Sequence, residues 1–272
     1  MNKIIEQKIP YGKKMIKILT NNSPSKKALI FFHGLDGSAA SAKPLFNELN
    51  DYKIIAVEQR GHMNSEIKAS RLISKHLNDY ILVIKHFYDQ GYKIWIIGES
   101  MGAAYATLVA YLPTNMIAGA FAQSIPNKVV DVLKVSKKDS FKIKCMTFLS
   151  YLTNVNYRYI ATVDYEKFSN NKTLHRVARI SDKNKKRQVR ETLATWAANR
   201  RAWKYLKYKT PYTPIYYFQP TDDITTNLHK VEKIFNFNRP NLTFIKAEGA
   251  KHILMYETQF VDILNFIRQI IQ

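Results

Sequence analysis

The chain has 272 residues, 46% of them hydrophobic, enough to bury a full-sized core and, with abundant Phe and Tyr, to exclude a disordered protein. A single cysteine, Cys145, rules out an internal disulfide and with it a disulfide-built secreted fold. The formal charge of +21 favours anionic partners, and no apolar run approaches the roughly 18–20 residues that span a bilayer, so a cytoplasmic location is expected.

In chain order, Lys3–Ile9 and Lys14–Leu19 read as two short strands joined at Pro10-Tyr11-Gly12. Ala28–His33 is a dense apolar run ending in Gly34, as a buried strand does, and Lys53–Val57 is another. Arg71–Asp89 carries Leu72, Leu77, Ile81, Ile84 and Phe87 near helical spacing, with Gly91 just beyond its end. Lys93–Ile97 then runs into Gly98-Glu99-Ser100-Met101-Gly102 and a small-residue helix, Gly102–Tyr111. Met116–Ala122 reads as a further buried strand.

From Pro126 to Lys209 the pattern changes to helical stretches with many basic and aromatic residues and little strand alternation. Ile215–Phe218, Leu242–Lys246 and the helix Phe260–Ile271 resume the earlier order. Strands alternating with helices predict an α/β fold, a mostly parallel sheet covered on both faces. Residues 1–125 and 210–272 would form its core, and 126–209 a helical insert. That insert holds 21 Lys and Arg against 6 Asp and Glu, a net of +15, whereas the remainder holds 21 against 15. A uniform bias toward lysine would spread the excess evenly, so the distribution points to a local role.

Gly98-x-Ser100-x-Gly102 between a strand and a helix is the nucleophile-elbow pattern. The turn is tight enough to need small residues on each side, and it lifts the serine hydroxyl above the sheet. A serine hydroxyl is a weak nucleophile, so it requires a general base and a group that orients the base. His252, in a loop between a predicted strand and the last helix, is the candidate base. The acid is expected after another strand, where Asp222 and Asp223 stand together. Asp222 is preferred because an aliphatic residue, Ile224, follows two positions later; Asp223 remains the alternative. Backbone N–H groups of Leu35, in the turn after His33-Gly34, and of Met101 are the candidate oxyanion donors. No ligand-like cluster calls for a metal, and no cofactor is expected.

Taken together, His33-Gly34 after a strand, Gln59-Arg60-Gly61-His62-x-x-Ser65, Gly98-x-Ser100-Met101-Gly102 and Gly249-x-x-His252 with Glu257 resemble the monoacylglycerol lipase and lysophospholipase branch of the α/β hydrolases. The likeness covers the core on both sides of the insert, about two-thirds of the chain. It implies an α/β-hydrolase fold in which the insert is a cap over the active site that helps select the acyl chain. It also implies that the Arg60-Gly61-His62 stretch supports the sheet rather than the chemistry. Glu58 replaces the usual aspartate, Met63 a usual glycine, and Gln219-Pro220 the glycine common before the acid. These departures bear on the substrate rather than on the triad.

The resemblance implies hydrolysis of a monoacylglycerol or lysophospholipid ester, with an acyl-CoA or acyl-carrier thioesterase as the enzymatic alternative. A catalytically inactive binding protein is the alternative of another class. Phe148, Tyr151, Tyr157, Tyr159, Trp196 and Trp203 are candidates to line an apolar channel. Lys183–Arg187 with Arg190, Arg200, Arg201 and Lys204 reads as a solvated helical face. Such a face can hold anionic membrane lipid at about 1 kcal/mol per basic residue. No nucleic-acid motif accompanies the charge, so nucleic acid is not the expected partner.

Overall fold

The apolar runs have no polar side to show to water, and strands buried on both faces need helices above and below them. The computed structural model describes every residue except 1, 2, 63, 64, 128–132, 135, 154, 161 and 177–185. Met63 therefore lies outside the described residues. The strands are β1 (Ile4–Tyr11), β2 (Lys14–Asn21), β3 (Lys27–Phe32), β4 (Lys53–Val57), β5 (Lys93–Glu99), β6 (Gly119–Gln123), β11 (Ile215–Pro220) and β12 (Leu242–Ala247). They form one eight-stranded sheet in the order β1-β2-β4-β3-β5-β6-β11-β12. β1 and β2 form an antiparallel pair, β2 joins β4 antiparallel, and every later pairing is parallel.

Alternation along β3 shows how the sheet divides two cores. Ile30 and Phe32 pack with α2 (Ile73–Tyr88) and α3 (Met101–Ala110) on one face. Leu29 and Phe31 pack with α1 (Lys43–Glu48) and α8 (Phe260–Ile271) on the other. α3 is buried over its whole length. A Cβ on Gly102 would overlap the Phe32 carbonyl oxygen, and one on Gly98 would overlap the Gly102 carbonyl. Only glycine lets the helix start this close to the sheet.

The segment between β6 and β11 adds no strand to this sheet. It holds β7 (Leu133–Lys134), α4 (Lys137–Thr153), β8 (Arg158–Ile160), β9 (Thr162–Val163), a helical turn over 172–176 (α5), β10 (Lys186–Gln188) and α6 (Val189–Tyr208). Small antiparallel ladders join β8 to β10 and β7 to β9. The segment is thus less purely helical than its sequence suggests, because two- and three-residue ladders are too short to leave a period-2 signature. α6 is part of the core, with Ala198, Ala202 and Leu206 packed beneath α3. Among the described residues, no helix is long and apolar enough to cross a membrane.

Candidate active site

β5 delivers Ser100 to the top of the sheet, and the turn into α3 holds it at φ 55°, ψ −116°. This is a sparsely populated conformation for a residue with a side chain, and such strain persists only where surrounding structure enforces it. Here the Ser100 N–H donates to the Gln123 carbonyl at 2.8 Å, while the paired glycines close the turn around it.

His252 reaches the serine from the loop after β12. Its Nε2 lies 2.9 Å from Ser100 Oγ and its Nδ1 lies 2.8 Å from Asp223 Oδ2. The carboxylate beside the imidazole is therefore Asp223, which corrects the expectation of Asp222. Asp223 is buried, and its other oxygen accepts from the Thr225 N–H at 2.8 Å and the Thr225 hydroxyl at 2.7 Å. Asp222 is exposed; its N–H donates to the Ala250 carbonyl and its carboxylate accepts from the neighbouring Thr221 hydroxyl. The physical reason is local. Thr221 continues the β11 ladder by donating to Ala247, and Asp222 then ties the acid loop to the histidine loop through its backbone, which leaves Asp223 to turn inward. Gln219, standing where the related pattern has glycine, braces this loop by donating to the Thr226 hydroxyl at 2.7 Å.

The electrostatics follow from burial. Desolvation opposes a charged imidazole at His252, but the charge and hydrogen bond of Asp223, with a further pull from Glu99, outweigh it and raise its pKa. Glu99 is buried in the same wall, and desolvation pushes its carboxyl up to about 7 against the opposing influence of His252. Among the described residues, its Oε2 has no hydrogen-bond partner.

The turn after β3 lies directly beside the nucleophile. A Cβ on Gly34 would sit 3.3 Å from Ser100 Cβ, and the Gly37 N–H closes the turn on the Gly34 carbonyl at 3.0 Å. This brings Leu35 to the rim of the serine's pocket, while Met101 opens α3 on the other side. Behind the turn, Gln59 donates its side-chain N–H to the His33 carbonyl, and Arg60 forms a two-pronged pair with Asp79 at 2.6 and 2.7 Å. Glu58 accepts from the Ala39 N–H at 3.1 Å. These residues hold the turn and β4 together.

A cavity of about 350 Å³ opens at Ser100 and His252, lined chiefly by apolar groups that include Leu35, Pro126, Tyr159, Phe168 and Trp196. Of the six aromatic residues expected at a channel, Tyr159 and Trp196 line it. Phe148 and Tyr151 are exposed, Tyr157 lies outside the lining, and Trp203 packs on Tyr217 while donating to Pro126. Phe168 was not anticipated. It meets the His252 ring edge-on at 5.4 Å, and its carbonyl accepts from the Ile253 N–H at 2.9 Å. Nothing local in the sequence links positions so far apart.

Arg187 is a second unanticipated wall residue and departs from the expected solvated face, of which Arg200, Arg201 and Lys204 are exposed on α6. It lies in β10 rather than a helix, is 4% exposed, and donates from Nε to Asp36 Oδ2 at 2.7 Å. Lys183, Asn184 and Lys185 lie outside the described residues.

The family model described as serine aminopeptidase, S33, matches residues 23–259. No curated protein matches the sequence. Among solved structures, a soluble variant of monoglyceride lipase from Saccharomyces cerevisiae, in complex with a substrate analog, superposes with TM-score 0.79 at 14% identity, covering 100% of this chain and 96% of its own. The monoacylglycerol lipase of Paleococcus ferrophilus gives 0.73 at 18% identity, covering 94% and 98%. A thioesterase domain from the curacin biosynthetic pathway gives 0.66 at 17% identity, covering 99% of each. At these identities the likenesses establish the fold, and the family match establishes membership: the chain belongs to the serine aminopeptidase S33 family of α/β hydrolases.

Proposed function

We propose that the protein is a serine esterase that hydrolyses a single-chain lipid ester, a monoacylglycerol or lysophospholipid, through an acyl-enzyme. The observation that carries this reading is the hydrogen-bonded series Ser100–His252–Asp223 opening into an apolar cavity of about 350 Å³. That volume falls in the range of pockets that enclose small ligands. The fold shared with two lipases that act on monoacylglycerol adds support.

Ser100 Oγ attacks the ester carbonyl while His252 Nε2 takes its proton. Asp223 keeps the imidazole in the required tautomer and stabilises the imidazolium. The Leu35 and Met101 N–H groups receive the developing oxyanion. His252 then protonates the departing alcohol, which leaves the acyl group on Ser100. A water molecule, deprotonated by the same histidine, attacks the acyl-enzyme, releases the fatty acid and restores the serine.

For a lipid substrate, the partner consistent with the cap is an anionic membrane surface. α4 exposes Phe141, Phe148, Leu149, Tyr151 and Leu152 beside the exposed Lys138, Lys142 and Lys144. The decisive first experiment is labelling with a fluorophosphonate, followed by a panel of monoacylglycerols, lysophospholipids, p-nitrophenyl esters and acyl-CoAs. Strong labelling lost in Ser100→Ala, with highest kcat/KM on the lysolipids or monoacylglycerols, is expected. Equal labelling of wild type and Ser100→Ala removes the enzyme reading, and preference for acyl-CoA replaces the ester with a thioester.

A further inference from the structure

We propose that Arg187 is a positioning residue through which the cap sets the oxyanion hole, by fixing Asp36. The inference rests on the esterase reading, since it concerns the donors assigned there.

Asp36 directly follows Leu35, whose N–H is one of the two assigned donors. It takes φ 66°, a left-handed conformation that an aspartate adopts only at some cost. The orientation of the Leu35–Asp36 turn therefore depends on what holds Asp36. The Arg187 guanidinium does so from the cap, at 2.7 Å, with Arg187 buried and the Asp36 side chain only 18% exposed. Arg187 is itself held in the β8–β10 ladder, where it is paired with Tyr159, and the Tyr159 hydroxyl lies 3.4 Å from Thr192 on α6. One helical turn later, Thr195, whose hydroxyl donates to the Glu191 carbonyl at 2.8 Å, sets that same oxygen against Met101 Sδ at 2.8 Å. The cap thus reaches both donor residues: Leu35 through the ion pair on its neighbour, and Met101 through a contact with its side chain. A side-chain pair between cap and oxyanion turn makes transition-state binding sensitive to cap seating, even for a substrate too small to touch the cap.

Removing an oxyanion donor lowers kcat about 100- to 1,000-fold, and displacing one by about 1 Å costs up to roughly 100-fold. Loss of the latch should fall in the second class. The test uses the full-length protein with p-nitrophenyl acetate, a short neutral ester. Asn tolerates the left-handed conformation as well as Asp does, so Asp36→Asn removes the charge without altering the backbone preference. Arg187→Gln and Asp36→Asn should each lower kcat about 10- to 100-fold with KM nearly unchanged. The double variant should be no worse than the more affected single one, because both changes break the same Arg187–Asp36 pair. Arg187→Lys, which keeps a cation, should recover part of the rate and guards against a merely unfolded Arg187→Gln.

Losses that multiply in the double variant, losses confined to KM, or single variants with wild-type kcat each overturn the proposal. A deficit seen only with anionic substrates also overturns it, by showing Arg187 to be a binding group. If wild type and Ser100→Ala label equally with fluorophosphonate, the esterase reading has failed. If wild type labels strongly and Arg187→Gln labels as fast, only the latch has failed.

Discussion

At Asp223 and Asp222, two adjacent carboxylates with the same intrinsic chemistry have unlike surroundings. Asp223 is buried between the Thr225 donors and the His252 ring, so of the two it is the one placed to stabilise an imidazolium. Asp223→Asn should lower kcat by about 10³- to 10⁴-fold, because the amide favours the wrong histidine tautomer. Asp222→Asn should stay within about twofold, as expected of an exposed side chain. Steady-state kinetics on a p-nitrophenyl ester decides between them, and a larger loss in Asp222→Asn reverses the assignment. The same cluster sets the pH response. On the proposed mechanism His252 must be neutral to accept the serine proton, so the rate falls as pH drops through its raised pKa. The acid limb should accordingly lie above the ordinary histidine value of about 6.5. The charges facing His252 come from Asp223 and Glu99, both of which favour the imidazolium. Glu99→Gln removes one of them and should move the acid limb of kcat/KM to lower pH. A limb that stays put shows that Glu99 is protonated throughout the working range, and one that rises removes the coupling.

At the scale of elements, the strand–turn–helix from β5 to α3 acts as a single device. Gly102→Ala should be destabilising by about 3 kcal/mol or more, since its Cβ meets a backbone carbonyl of β3 that has no room to give. Thermal melting measures this, and an unchanged Tm would falsify the close-approach argument. The device was legible in the sequence because everything it requires lies within about ten consecutive positions: an apolar run, two glycines, a serine and small helical residues. The Leu35 turn and the His252 loop were legible for the same reason, each following a strand that announces itself. The choice between Asp222 and Asp223 was not, because it turns on whether the β11 ladder ends at Pro220 or one residue later. Phe168 and Arg187 were not legible either. Their partners, His252 and Asp36, are brought to them only when the insert folds back over the sheet.

Across the whole molecule, charge and apolar surface are distributed unevenly, and the unevenness has a direction. The segment 126–209 holds +15 of the net +21, and α4 within it exposes five large apolar side chains. A soluble enzyme acting on soluble esters gains nothing from that combination, because exposed aromatic residues among lysines invite nonspecific association. At an anionic bilayer the same face is favourable twice over. Lysines are attracted within a Debye length, roughly 10 Å at 0.1 M salt, and the apolar side chains enter the headgroup region once they are close. The two contributions separate experimentally. The triple variant K138Q/K142Q/K144Q should bind phosphatidylglycerol-containing vesicles more weakly at low salt, with the difference closing as salt screens the remaining charge. F148S/L152S should weaken binding at every salt concentration. Both should hydrolyse p-nitrophenyl acetate at the wild-type rate, since α4 contributes none of the residues around Ser100. Co-sedimentation with anionic and with neutral vesicles provides the measurement. Equal binding to the two vesicle types by the wild type would leave the basic charge of the segment 126–209 without a membrane role.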